Sequence, residues 1–575
     1  MKLLSRLAIV TLVAIVMFTS CRTEESPEPL STSGTENSNI RFTDATEASG
    51  IRFEHVPTRT KDKLLPEIMG GGVALADFNR DGAPDVLLVN SGVLGKPVRP
   101  DNSRNMLFMN TGKGKFVNET DKWNLTGTGY GQGVAIGDVD NDGYPDVFLT
   151  NYEGDNRLLR NTGVKFEDVT ENAGLRSEQK WATGAGFLDY DNDGDLDLFV
   201  LRYVDFELGN PHRVFRNRML IYSTPIYFNP EPDQLWENDG RGKFTDVTEK
   251  AGITKSGNGL ALALGDLDED GDIDAYVAND SDENHLWIND GKGRFEEIAV
   301  PAGTAYSEFG KEEGSMGADF SDTDGNGLLD IAVSNFQDEQ VALYSQQEKL
   351  LFQNVSTQVG IGQSSLARLS FGIEFFDADN DGDEDLIVAN GHIEDNVELN
   401  SDSVTFPQLN SLYENMGDGK FVDISDSAGN ALADKQVSRG LAIADLDSDG
   451  DLDFVVVNNG GKAQIALNET PSKGNFVGLW LEGSGSSRSA IGTRLIAKTG
   501  DRTIKRQIMG AQSYLSISEF RILFGLGSAE KIDSLEIYWP GAEKQTLSDI
   551  AAGKYYYLKQ DGEIIDLKIG ELRKP

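Results

Sequence analysis

Cysteine occurs once in 575 residues, at Cys21, so no disulfide can form within the chain and its stability has another source. Histidine is nearly as scarce, with only His55, His212, His285 and His392. That supply excludes a Cys/His zinc cluster and a cysteine nucleophile in the body of the chain. No Gly-x-Ser-x-Gly elbow and no phosphate-binding loop is present. Positive charge is in short supply too: 52 Lys and Arg face 94 Asp and Glu, a net charge of −42 without a basic stripe. Such a surface repels nucleic acid. The only long apolar run, Leu7 to Phe18, is too short to span a bilayer comfortably.

What the chain has in excess is aspartate, and it is ordered. A nine-residue loop, D-x-D/N-x-D/N-G-x-x-D, begins at Asp77, Asp138, Asp189, Asp266, Asp322, Asp377 and Asp445. Its first, third, fifth and ninth positions supply hard oxygens, and Gly at the sixth permits a sharp turn. Oxygens in that number suit Ca²⁺. The candidate ligands are Asp77, Asn79, Asp81 and Asp85; Asp138, Asp140, Asp142 and Asp146; Asp189, Asp191, Asp193 and Asp197; Asp266, Asp268, Asp270 and Asp274. The last three loops offer Asp322, Asp324, Asn326 and Asp330; Asp377, Asp379, Asp381 and Asp385; Asp445, Asp447, Asp449 and Asp453. Up to seven Ca²⁺ are therefore expected. A hairpin turn alone would also use Asp-Gly, but seven copies in register favour the metal. The first loop, with Asn79 and Arg80, and the fifth, with Asn326, are the weakest.

The copies are spaced by 61, 51, 77, 56, 55 and 68 residues, a repeat length of propellers and arrays. A small-residue strand precedes each loop, as in Gly133 to Gly137, and an apolar strand follows it. Then comes a hairpin such as Leu235 to Phe244, and a closing Asp246-Val-Thr248. Four short strands in seven units predict an all-β chain: a seven-bladed β-propeller over 40–470, followed by a small β-domain over 474–562 and a tail, 563–575. The last unit lacks its Phe-x-Asp-x-Thr strand. Phe42-Thr-Asp-Ala-Thr46 supplies one at the start, so the N-terminal strand is expected to complete the seventh unit.

The units resemble VCBS/FG-GAP repeats, the calcium-loop blades also seen in integrin α-subunit heads. Ser489-Ala-Ile-Gly-Thr-Arg494, Phe524-Gly-Leu-Gly527 and Tyr538-Trp-Pro-Gly541 resemble an ASPIC/UnbV domain. The combination is similar to the cartilage-acidic-protein-like family of secreted repeat proteins, as are Asn390-Gly-His-Ile393 and Gly50 to His55. The resemblance covers roughly residues 40 to 560. It implies calcium binding and an extracytoplasmic setting, and no established reaction.

At the N-terminus, Lys2 and Arg6 precede the apolar run, and Phe18-Thr-Ser-Cys21 resembles a lipobox. Residues 1–20 read as a lipoprotein signal peptide, Cys21 as the lipidated residue, and 21–39 as a flexible tether rich in Ser, Glu, Pro and Thr. The expected setting is a bacterial lipoprotein of the outer membrane, a monomer facing the periplasm or the cell surface.

Two places break the repeat. Three residues before each loop stand Ala74, Ala135, Gly186, Ala263, Asp319, Glu374 and Ala442. The two acids, in consecutive units, are a candidate channel site for a cation or polar ligand. The long insertion after the third loop carries Tyr203, Arg213, Tyr222 and Tyr227 as candidate binding residues for protein or glycan. The functional expectation is a calcium-binding, membrane-anchored scaffold or adhesion protein. The alternative is an extracytoplasmic enzyme acting on polysaccharide in the channel or on the insertion face. No catalytic residue is picked out.

Overall fold

The computed structural model describes residues 38–569, apart from 97–102, 126–128, 176–179, 400, 402, 472 and 485–487. The signal segment, Cys21 and nearly all of the tether lie outside the described residues. No helix among the described residues is long and apolar enough to cross a membrane.

Each Asp loop is the turn between the first two strands of one antiparallel sheet. In the second unit the order is Gly131–Gly137, Asp146–Asn151, Arg157–Asn161 and Phe166–Asp168, with Gly137 opposite Asp146. The first strand is buried along its whole length, which explains its small and apolar residues. The other sheets begin with Val73–Ala76, Ala182–Leu188, Gly259–Gly265, Gly317–Ser321, Ser370–Phe376 and Ser438–Ala444. The seventh is completed by Phe42–Asp44, which pairs with Gln464–Asn468 and sets Phe42 opposite Asn468. After a fourth strand the Asp-x-Thr motif starts one helical turn. Asp168 accepts from the Thr170 amide at 3.1 Å, and Thr170–Ala173 ends on Gly174 at φ 82°.

These sheets are separate. Six of the seven have four strands; the fourth gains a fifth from Glu313–Gly314. None of the sheets closes or curls on itself, so the expected seven-bladed β-propeller is corrected to a mostly β chain of several small antiparallel sheets. The physical reason lies at the first strands. Their free edges do not pair with another sheet of the repeat; consecutive units meet through apolar side chains instead. One such core joins Ala74, Leu87 and Val89 to Val134, Val147 and Leu149.

The C-terminal region adds two four-stranded sheets. One runs Ile522–Gly527, Asn475–Glu482, Lys554–Lys559, Ile564–Asp566, and the other Arg502–Gln507, Arg494–Thr499, Lys531–Tyr538, Gln545–Ala551. Between Gln507 and Ile522 the chain leaves these sheets and threads among the first strands of the repeat. The Ile517 carbonyl accepts from Leu75, Leu515 from Val134, Ala511 from Leu264 and Ser513 from Ala318. Their edge donors thus find acceptors in one borrowed segment. That approach accounts for the small residues: a Cβ on Gly72 would lie 1.8 Å from the Leu515 carbonyl oxygen, and one on Gly186 2.6 Å from the Ala511 Cβ.

Candidate metal centres

Local backbone shape aims the carboxylates. In the second loop Asn141 (φ 57°) and Gly143 (φ 92°) both take left-handed conformations, which fold the loop back over Asp138. Asp138 accepts from the amides of Asp142 at 3.0 Å and Gly143 at 2.8 Å. Asp146 accepts from Val139 at 3.0 Å and from Asn161 at 2.7 Å. Main-chain donors thus orient the outer members of the set. Oxygens of Asp138, Asp140 and Asp146 then come within 4.8 Å of one another.

Four more loops converge in the same way: Asp189, Asp191 and Asp197; Asp266, Asp268 and Asp274; Asp377, Asp379 and Asp381; Asp445, Asp447 and Asp453. Several of the oxygens have no hydrogen-bond partner although buried, among them Oδ1 of Asp140, Asp189, Asp191 and Asp447. Buried carboxylate oxygens without donors fit a divalent cation, and hard oxygen sets select Ca²⁺ or Mg²⁺ over softer metals. Burial pushes the carboxyls of Asp138 and Asp189 up to about 7 and that of Asp197 up to about 9. Asp146, Asp274 and Asp385 rise well above the ordinary range for the same reason. Without a cation, these groups resist ionisation.

The first and fifth loops form no such carboxylate triad. In the first, Asn79 donates to Asp81 at 3.1 Å, and Arg80 turns away to pair with Glu482 at 2.6 Å. In the fifth, Asn326 donates to the Gln346 carbonyl at 3.1 Å, and Thr323 donates its hydroxyl proton to Asp330.

The C-terminal region meets the loops with cations and a phenol. Arg494 reaches Asp266 at 2.9 Å, Arg502 reaches Asp383 at 2.8 Å, and Lys505 reaches Glu269 at 2.6 Å. Lys473 bonds Asp449 at 2.9 Å and also Asp451, and the Tyr555 hydroxyl donates to Asp445.

One recurring residue is not singled out by the loop pattern: an amide side chain at or near the end of each third strand. Asn161 donates to the Pro145 carbonyl of its own loop at 3.1 Å and to Phe78 of the preceding loop at 3.0 Å. Asn110, Asn238, Asn289, Gln346, Asn415 and Asn468 reach back in the same way, to Leu446, Val139, Tyr190, Leu267, Thr323 and Ala378. Its signal was the Asn before the hairpin glycine in Trp236-Glu-Asn-Asp-Gly240.

Asp319 and Glu374 are both buried and near each other. Asp319 accepts from the Phe320 and Phe375 amides at 2.8 and 2.7 Å, and Glu374 from Ser518 and Gln512, both at 2.9 Å. The threaded C-terminal segment thus faces Glu374. Burial raises both carboxyls, Glu374 to about 8, and Glu374 adds to the rise at Asp319.

The insertion residues divide. Tyr203 is buried and donates to Asp280 at 2.7 Å; Tyr222 is buried and donates to Glu67 at 3.2 Å. Both hold the insertion down. Arg213 and Tyr227 are exposed, Arg213 pairing with Asp62 at 2.6 Å and Tyr227 stacking on His212 at 4.5 Å. His55 and His392 are buried: His55 bonds Ser91 at 2.9 Å, and His392 accepts from the Glu394 amide at 2.9 Å.

A mostly β chain that sets a carboxylate loop between the first two strands of each repeated sheet is a repeat protein whose loops are able to coordinate a divalent ion. This one belongs to the FG-GAP-like repeat family, which matches residues 77–149, 138–200, 220–277, 266–333 and 322–388. Residues 483–564 match the family of ASPIC and UnbV. Cartilage acidic protein 1 of Homo sapiens is 25% identical over 487 residues, covering 73% of this chain and 70% of that protein. The Mus musculus protein is 24% identical over 473 residues, 71% and 70% of the two chains. Among solved structures, the BP39L lectin of Burkholderia pseudomallei aligns with 70% of this chain and 99% of its own at 11% identity, with a TM-score of 0.39.

Proposed function

We propose that this chain is a calcium-loaded, lipid-anchored binding protein working outside the cytoplasm, in which the metal loops are a frame and the insertion meets a protein or glycan ligand. The observation that carries the reading is the recurrence of one geometry in five loops: three converging carboxylates, mostly buried. Ca²⁺ held there neutralises groups that burial otherwise penalises, and favours the folded chain by mass action. The first and fifth loops, lacking the triad, hold calcium more weakly, so occupancy reaches seven only at high calcium. Cys21, following an apolar run, is the site of the anchor.

Calcium titration by calorimetry tests the frame. Tight sites equal in number to the converging loops, with a melting temperature that falls on chelation, are expected; no uptake, or uptake without stabilisation, overturns it. Labelling with a fatty-acid probe tests the anchor: the wild-type chain should take the label and Cys21→Ser should not. Equal labelling of both refutes Cys21 as its site.

A further inference from the structure

The surface of the insertion differs from everything around it. Residues 209–228 contain three arginines and no acid, in a chain with 94 acids. They include a hairpin, Val214–Arg216 paired with Met219–Ile221, whose turn residues Asn217 (φ 51°) and Arg218 (φ 68°) are both left-handed. The turn holds Phe215 and the arginines outward: Phe215 is 64% exposed, and Arg213, Arg216 and Arg218 are all exposed. Beside them Ile226 is 65% and Tyr227 42% exposed, Tyr227 lying flat on His212 with an interplanar angle of 15°. Arg213 is held by Asp62, whereas Arg216 and Arg218 form no ion pair among the described residues.

We infer that this hairpin is a docking surface for an acidic glycan, a polysaccharide bearing uronate carboxylates. Tyr227 and Phe215 offer apolar ring faces to the C–H faces of sugar rings. Arg216 and Arg218 offer planar forks that bind carboxylates through paired hydrogen bonds. Charge complementarity selects the ligand's sign, and geometry selects its shape. At physiological ionic strength fields fade over about 8 Å, so a thin strand lying along the hairpin meets Arg216 and Arg218 while acids beyond that range are screened; the nearby Asp62 is already paired with Arg213. A flat anionic membrane would bring the whole acidic surface close and be repelled. A purely acidic peptide would satisfy the arginines and leave the rings unused.

The inference rests on the binding reading above. The test uses the full chain, calcium-loaded, and an oligogalacturonate too short to gel with calcium. Neutral maltooligosaccharide of equal length, polyglutamate and phosphatidylglycerol vesicles serve as comparisons. Saturable binding of oligogalacturonate is expected, with little to the other three. Arg216→Ala/Arg218→Ala and Phe215→Ala/Tyr227→Ala should each weaken it roughly tenfold or more with melting temperature unchanged. Binding that survives both double variants, or an equal preference for polyglutamate or vesicles, overturns the inference. So does a chain that gains stability from calcium yet binds none of the four, which leaves the metal frame standing. Loss of calcium stabilisation with oligogalacturonate binding intact overturns the frame instead.

Discussion

Replacing Asn161 with Ala should destabilise the chain by about 3 kcal/mol, roughly 1 kcal/mol for each of the three hydrogen bonds its side chain makes. Asn161 is fully buried; its amide donates to Phe78 and Pro145, and its carbonyl accepts from the Gly163 amide at 2.8 Å. Alanine keeps the backbone bond to Asp146 and strips these three. The Phe78 carbonyl then stays buried without this donor, and the half-buried Pro145 carbonyl and Gly163 N–H lose their partner. Asn161→Asp sharpens the reasoning. It retains the acceptor for Gly163 but points a carboxylate at two carbonyl oxygens, so it should cost at least as much as alanine. Urea unfolding gives the free energy, and hydrogen exchange at the Asp138 and Asp77 loops shows whether the loosening crosses from one unit to the next. Asn172→Ala, at an exposed position, is the control and should stay within about 0.5 kcal/mol of wild type. A loss at Asn161→Ala no larger than in that control, or an Asn161→Asp variant as stable as wild type, would refute the role given to these amides.

Other outcomes follow from the same geometry. In chelator the folded chain holds protons on Asp138 and Asp189 up to about pH 7, whereas the unfolded chain releases them near 4. The native state therefore binds more protons in that window, and metal-free stability should fall as pH rises through it; calcium should reverse the trend, and melting curves at both ends of the window, with and without calcium, would show it. Gly72→Ala sets a methyl 1.8 Å from the Leu515 carbonyl and should cost about 2 kcal/mol while exposing residues 508–520 to protease; an unchanged cleavage pattern would count against the threading. Arg494→Ala removes a cation 2.9 Å from Asp266 and should tighten calcium at the fourth loop several-fold, about 1 kcal/mol at most for this partly exposed pair; weaker binding in calorimetry would mean that Arg494 organises the loop.

What the sequence revealed about this chain depended on range. The Asp loops were legible because the converging carboxylates belong to the motif residues themselves, and the turn that gathers them is set within nine positions. Even their defects could be read: Asn79 with Arg80, and Asn326, mark the two loops that form no triad. Phe42 was legible as the strand missing from the last unit. The propeller was an over-reading. Counting units fixes how many sheets form, but not what their free edges bond to, and here those edges bond to a segment near residue 515. Nothing local in Ala511 to Ser518 announces that destination, since its partners are main-chain atoms hundreds of residues away. Tyr203 and Tyr222 looked like surface aromatics for a related reason. Their hydroxyls are satisfied by Asp280 and Glu67, which sequence neighbours do not disclose.

The strand Phe42–Asp44 gives this protein an unusual clock. Its backbone neighbour Arg41 bonds Thr470, 429 residues further along. The first of the described strands therefore cannot pair until Gln464–Asn468 has been made. At roughly 5–20 residues per second, a growing chain waits tens of seconds between making that strand and making its partner. Throughout that interval the leading segment stays unpaired and the emerging sheets lack their final neighbour.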